Sequence, residues 1–130
     1  MTPLSQSLEE DPPVGEAVTI TGWGRTSDAS QGASQQLMYS DAPTIEDPEI
    51  CAQVWGHSVT EKGICINTSD GGTCNGDSGG PLNYPQADGT YVQVGVVSYG
   101  SGLSCEMGIE GYFTRVSAYK EWIEGIIANN

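Results

Sequence analysis

A period of two constrains this chain more than any other feature. Short apolar or alternating runs recur at Val18-Thr19-Ile20-Thr21, Leu37 to Ile45, Ile64-Cys65-Ile66, Pro81 to Tyr84, Tyr91 to Tyr99 and Gly111 to Val116. Such runs turn one face of a pleated strand to a core and the other to water. Glycine-rich segments punctuate them, and Ala87-Asp88-Gly89-Thr90 supplies a hairpin turn before the longest. Pro43 interrupts the second run late, because proline has no N–H to give a ladder. Six strands at this spacing predict an all-β unit, a six-stranded antiparallel barrel. The period then changes. Val116, Tyr119, Trp122, Ile123, Ile126 and Ile127 recur at helical spacing, with Ser117 as N-cap, predicting a C-terminal α-helix whose apolar stripe is packing surface. Residues 1–17 read as tail or loop, 25–36 as exposed loop and 18–127 as one folded unit without internal repeat.

At 130 residues the chain is one domain's worth, with 4 basic against 17 acidic side chains and a net charge of −13. That balance repels phosphate backbones and anionic lipid, so neither nucleic acid nor a membrane surface is expected as a partner. No apolar run approaches a membrane span. Met1 to Pro13 is polar and acidic and lacks the apolar core of a signal peptide. Cys51, Cys65, Cys74 and Cys105 form an even set beside a single histidine, His57, with no C-x-x-C pair. A metal site is therefore not expected, and two disulfides in an oxidising, extracellular setting are. Four cysteines allow three pairings. Asn67-Thr68-Ser69 is an N-glycosylation acceptor that fits the same compartment. Disulfides without a signal peptide leave two expectations: a fragment whose start lies upstream of Met1, or an artificially made piece.

The dense chemical signal is Cys74-Asn75-Gly76-Asp77-Ser78-Gly79-Gly80-Pro81-Leu82. A serine hydroxyl becomes a useful nucleophile only when a base takes its proton and donors hold the oxyanion. Glycines around it let backbone N–H groups approach a substrate carbonyl. The same residues satisfy G-x-S-x-G, the nucleophile elbow of α/β-hydrolases, but that motif needs a helix after the serine and a histidine downstream. Here Pro81 and a strand follow, and no histidine lies beyond Ser78. The elbow reading fails.

These residues, in their order, resemble the C-terminal half of a chymotrypsin-like (trypsin-fold) serine endopeptidase over about residues 18–127. The landmarks are Gly22-Trp23-Gly24, Cys51 and Cys65, the Cys74 to Leu82 segment, Val96-Val97-Ser98-Tyr99-Gly100, Cys105, and Phe113-Thr114-Arg115-Val116 leading to Tyr119 and Trp122-Ile123. Asn75-Gly76 and Phe113 to Val116 are most similar to arthropod digestive proteases, including the crustacean collagenolytic ones. The preferred disulfides are Cys51–Cys65 and Cys74–Cys105, each contributing roughly 3 to 4 kcal/mol through the unfolded chain. The resemblance implies Ser78 as the acylated nucleophile and the N–H groups of Gly76 and Ser78 as the oxyanion hole. It implies that Asp77 pairs with a new N-terminal amine on activation, and that Ser98-Tyr99-Gly100 aligns the polypeptide substrate as an added strand.

By the same resemblance Gly72 is the floor of the specificity pocket, with Gly100 and Gly111 as its walls. An uncharged floor favours a large apolar or aromatic side chain. Glu110 stands one position from a wall, and a one-residue shift would bring its charge into the pocket. The family's histidine base and acid belong to an N-terminal barrel outside this sequence, which becomes the expected protein partner. His57 reads as a loop residue with no part in catalysis, so the 130 residues alone are expected to be inactive. No cofactor is implied. The alternatives are a non-catalytic homologue serving as a binding or regulatory module, and a free-standing β-domain that binds peptides at the Ser98 to Gly100 edge.

Overall fold

In the computed structural model the residues described are 12–27, 32–41, 43–56, 62–67, 77–99 and 111–129. Among them the strands are Thr19–Gly22 (β1), Met38–Ser40 (β2), Thr44–Ile45 (β3), Gly63–Asn67 (β4), Pro81–Pro85 (β5), Tyr91–Tyr99 (β6) and Gly111–Arg115 (β7). They form one sheet in the order β2-β1-β5-β6-β7-β4-β3, antiparallel at each pairing. Where the sequence predicts one strand from Leu37 to Ile45, the structure has two, β2 and β3, with Pro43 between them. The two halves keep different company: β2 pairs with β1 and β3 with β4, at opposite ends of the strand order. Residues ahead of β1 join those ends. The Gly15 amide donates to Ile45 and the Ile45 amide to Glu16, both at 2.9 Å, the Val18 amide donates to Pro43 at 3.0 Å, and Ala17 bridges Thr44. The sheet therefore closes into the expected six-stranded barrel, with one strand broken at proline. Hydrogen bonding to the barrel begins three residues before Val18.

The interior follows from alternation. Val18, Ile66, Leu82 and Phe113 are fully buried, and Ile20, Ile64 and Val94 nearly so. The β5–β6 hairpin closes at the predicted turn: the Gly89 amide donates to Gln86 and the Gln86 amide to Thr90, with Gly89 at φ 87°. This pairing of a turn with a left-handed glycine is a common three-residue hairpin loop. The Asp88 carboxylate accepts from both the Thr90 amide and the Thr90 hydroxyl, which holds its pKa below the usual carboxylate value.

Three features depart from the sequence reading. An α-helix, Pro48–Trp55 (α1), stands where sequence periodicity alone indicates none. Its signals are local: the Asp47 side chain caps the Glu49 amide, Pro48 occupies the first turn, and Gly56 ends the helix at φ 96°. Eight residues are too few to display a helical period. The Cys51–Cys65 disulfide then ties α1 to β4 with a Cα–Cα distance of 5.8 Å. The second departure is Ser117, which lies inside a 3-10 turn and is not the N-cap residue of a helix. The chain leaves β7 through a 3-10 turn, Val116–Tyr119, whose capping position is the extended Arg115, before the helix Lys120–Ala128 (α2). The third is the stripe on α2. Val116 is buried, but no residue of Lys120–Ala128 is, and Trp122, Ile126 and Ile127 are 67%, 49% and 56% exposed. Within the described residues the stripe on α2 is therefore largely exposed, with only Ile123 half-buried.

Two stability outcomes follow. Phe113→Ala removes the largest fully buried side chain, from a strand paired on both sides, and should cost about 3–5 kcal/mol in urea unfolding followed by tryptophan fluorescence. Replacing Cys51 and Cys65 together by serine should cost about 3 kcal/mol by the same measurement, since the loop closed spans 14 residue steps.

Candidate active site

Residues Asp77 to Gly80 form a tight turn. The Gly80 amide donates to the Asp77 carbonyl at 3.0 Å and Gly79 lies at φ 83°. A positive φ at the third position is the signature of a type II turn, and glycine adopts it without steric cost. Ser78 occupies the second position, at the apex, and is exposed. Two further bonds fasten the turn to β6: the Gly79 amide donates to Val97 at 2.9 Å, and the Val97 amide to Gly80 at 2.8 Å. The chain then enters β5 at Pro81. The serine is thus exposed on a turn that is bonded to β6 and leads directly into β5.

The same bonds place Ser78 beside the end of β6. Val97 pairs with Phe113 and Tyr99 with Tyr112, so Ser98 is the extra residue of a β-bulge, outside the ladder and exposed. Bulges re-aim side chains and free backbone from pairing. Gly111 starts β7 beside this end of β6; it is buried and pairs with Ile66 on its other side. The structure therefore brings Asp77, Ser78, Ser98, Tyr99 and Gly111 to one end of the barrel. Gly72, Gly76, Gly100, Glu110, His57 and the Cys74–Cys105 pairing lie outside the described residues. Asn67 ends β4, half-buried, with its Nδ2 donating to Glu46 Oε2 at 3.2 Å.

Asp77 has a contact that the motif alone does not reveal. Its carboxylate accepts the Gly24 amide at 2.9 Å, in a cradle made by Gly22-Trp23-Gly24. A methyl group on either glycine would overlap that carboxylate; at Gly24 its nearest approach would be 2.5 Å. The end of β1 is thereby joined to the serine turn across 53 residues of sequence. A pair of glycines at a strand end is the available sequence signal, since it marks close approach by another group. The identity of that group is not encoded locally.

The model of the trypsin family, described as "Trypsin", matches residues 1–123. Brachyurin from Leptuca pugilator is 46% identical over 112 residues, which cover 85% of this chain and 46% of that protein. This agrees with the crustacean likeness of Asn75-Gly76 and Phe113 to Val116. Suppressor of tumorigenicity 14 protein homolog from Bos taurus is 36% identical over 117 residues, covering 88% of this chain and 13% of that protein. The chain spans about half the length of the first relative and a small part of the second. An ordered set of trypsin-like landmarks, a closed antiparallel barrel and a family match over nearly the whole sequence agree, and the chain belongs to the trypsin family.

Proposed function

We propose that these residues are the nucleophile-bearing C-terminal barrel of a secreted serine endopeptidase. The observation that carries this reading is the Asp77 to Gly80 turn, which presents Ser78 to solvent beside the bulged end of β6. In the proposed reaction a histidine from an N-terminal barrel takes the Ser78 proton as Oγ bonds to the substrate carbonyl carbon. The N–H groups of Gly76 and Ser78 hold the oxyanion, typically worth a few kcal/mol per donor. Collapse breaks the peptide C–N bond, the histidine returns its proton to the leaving amine, and water hydrolyses the acyl-enzyme. The substrate backbone lies along Ser98-Tyr99-Gly100 as an added strand. Its side chain, large and apolar or aromatic, enters the pocket of Gly72, Gly100 and Gly111, with Glu110 as the residue whose register would change that preference.

An N-terminal barrel as partner is supported by the exposed Trp122, Ile126 and Ile127 of α2 and by the relatives' greater length. His57 belongs to the segment after α1 and has no part in the scheme. Asp77 has a positioning role: its carboxylate, seated on the Gly24 amide, sets the orientation of the turn, and a new N-terminal amine joins it on activation. Neither metal nor organic cofactor enters the reaction.

Diisopropyl fluorophosphate should label Ser78 stoichiometrically in the protein carrying both barrels, and Ser78→Ala should abolish both labelling and peptidase activity. The isolated 130 residues should resist labelling. A folded two-barrel protein unlabelled at Ser78 would identify a non-catalytic homologue instead. Stoichiometric labelling of the isolated chain would remove the need for a second barrel. Gly24→Ala should displace the Asp77 carboxylate, slow labelling of the two-barrel protein by at least about tenfold, and lower stability by roughly 1–3 kcal/mol.

A further inference from the structure

One residue of the barrel points outward and is nevertheless buried. Along β7 the core takes Phe113, which pairs with Ile64, so Tyr112 and its partner Cys65 turn to the outer face of the sheet. An outward side chain on a barrel ordinarily meets water, yet Tyr112 is only 7% exposed. Helix α1 covers it, for Tyr112 packs with Cys51, Cys65 and Trp55. Its ring also extends along the sheet to Gly63, where a methyl group would overlap the ring's Cζ and hydroxyl. The ring is thus held between the sheet and a helix that the Cys51–Cys65 disulfide ties to β4.

The backbone of Tyr112 stands beside the candidate site. On one side it pairs with Cys65, and on the other with Tyr99, the residue just past the Ser98 bulge. The residue before it is Gly111, the buried pocket wall assigned to substrate. A bulge disrupts the ladder locally, so the spacing of β6 and β7 there depends on what else holds Tyr112. Close-packed interiors transmit small displacements, and a site misplaced by about 1 Å can lose on the order of a hundredfold in rate.

We propose that Tyr112 is a positioning residue for the substrate pocket: its ring, held between Gly63 and the α1 disulfide, fixes the separation of Gly111 from the Ser98–Tyr99 edge. The ring touches no substrate and acts through the backbone pair Tyr112–Tyr99. This assignment rests on the reading of that edge and of Gly111 as the substrate site, and its test separates the two.

In the protein carrying both barrels, Tyr112→Leu removes the ring and Gly63→Ala displaces it, whereas Tyr112→Phe keeps it. With peptide anilides that present Phe or Ala to the pocket, the first two variants should lower the Phe-to-Ala ratio of kcat/KM at least about tenfold, chiefly through KM for the Phe substrate. Labelling of Ser78 by diisopropyl fluorophosphate should slow by less than about twofold, and Tyr112→Phe should stay close to the parent. Amide hydrogen exchange on the same proteins gives a readout that needs no activity. In Tyr112→Leu and Gly63→Ala, exchange should rise at least about tenfold in the peptides carrying Tyr99 and Gly111 and stay unchanged in the β5–β6 hairpin. A parent protein with neither labelling nor peptidase activity would remove the substrate reading and leave exchange to decide the role of Tyr112. An unchanged Phe-to-Ala ratio in an active protein, labelling that falls in parallel with kcat/KM, or exchange that rises evenly over the barrel would each overturn the proposal.

Discussion

Closure of the sheet at Pro43 is the constraint from which the rest of the molecule follows. A strand that bonds β1 over its first half and β4 over its second must change partners partway, and the change is easiest where one residue has no N–H to commit. Pro43 is buried, and its carbonyl takes the Val18 amide. With Gly15, Glu16 and Ala17 completing the seam, the two sheet ends are joined and the Val18, Leu82 and Phe113 side chains lie fully buried in the interior. A barrel has no free edge, so each loop leaves from a fixed rim.

The serine turn inherits its position from that rim. Its backbone is bonded to Val97 on one side, and its Asp77 carboxylate to Gly24 on the other, which draws together β6 and the end of β1. The turn itself needs only Gly79 at positive φ. Seating the Asp77 carboxylate against Gly24 needs two glycines at the end of a distant strand. The bulge at Ser98 belongs to the same arrangement, because it releases backbone from pairing next to Ser78.

Much of this was legible in the residues. Alternation located the strands, Asp88-Gly89 the hairpin, and the segment around Ser78 the chemistry. Helix α1 was hidden because eight residues carry too little period to compete with the surrounding strand pattern; only Asp47-Pro48 and Gly56 mark its ends. The spacing of Trp122, Ile126 and Ile127 marks a helix but does not say whether its stripe is covered. Amphipathicity says that a face is fit to be covered; whether the same chain covers it depends on where the helix leaves the barrel.

The sequence by itself determined the class of fold, the Ser78 turn and the family, since these rest on local periods and on residues adjacent in the chain. Only the tertiary structure decided that one strand would serve two partners, that Gly24 would hold Asp77, and that Trp122, Ile126 and Ile127 would stay exposed. Each of those depends on which backbone donors, acceptors and apolar surfaces remain after the sheet has closed, a property of the whole barrel and of no single segment.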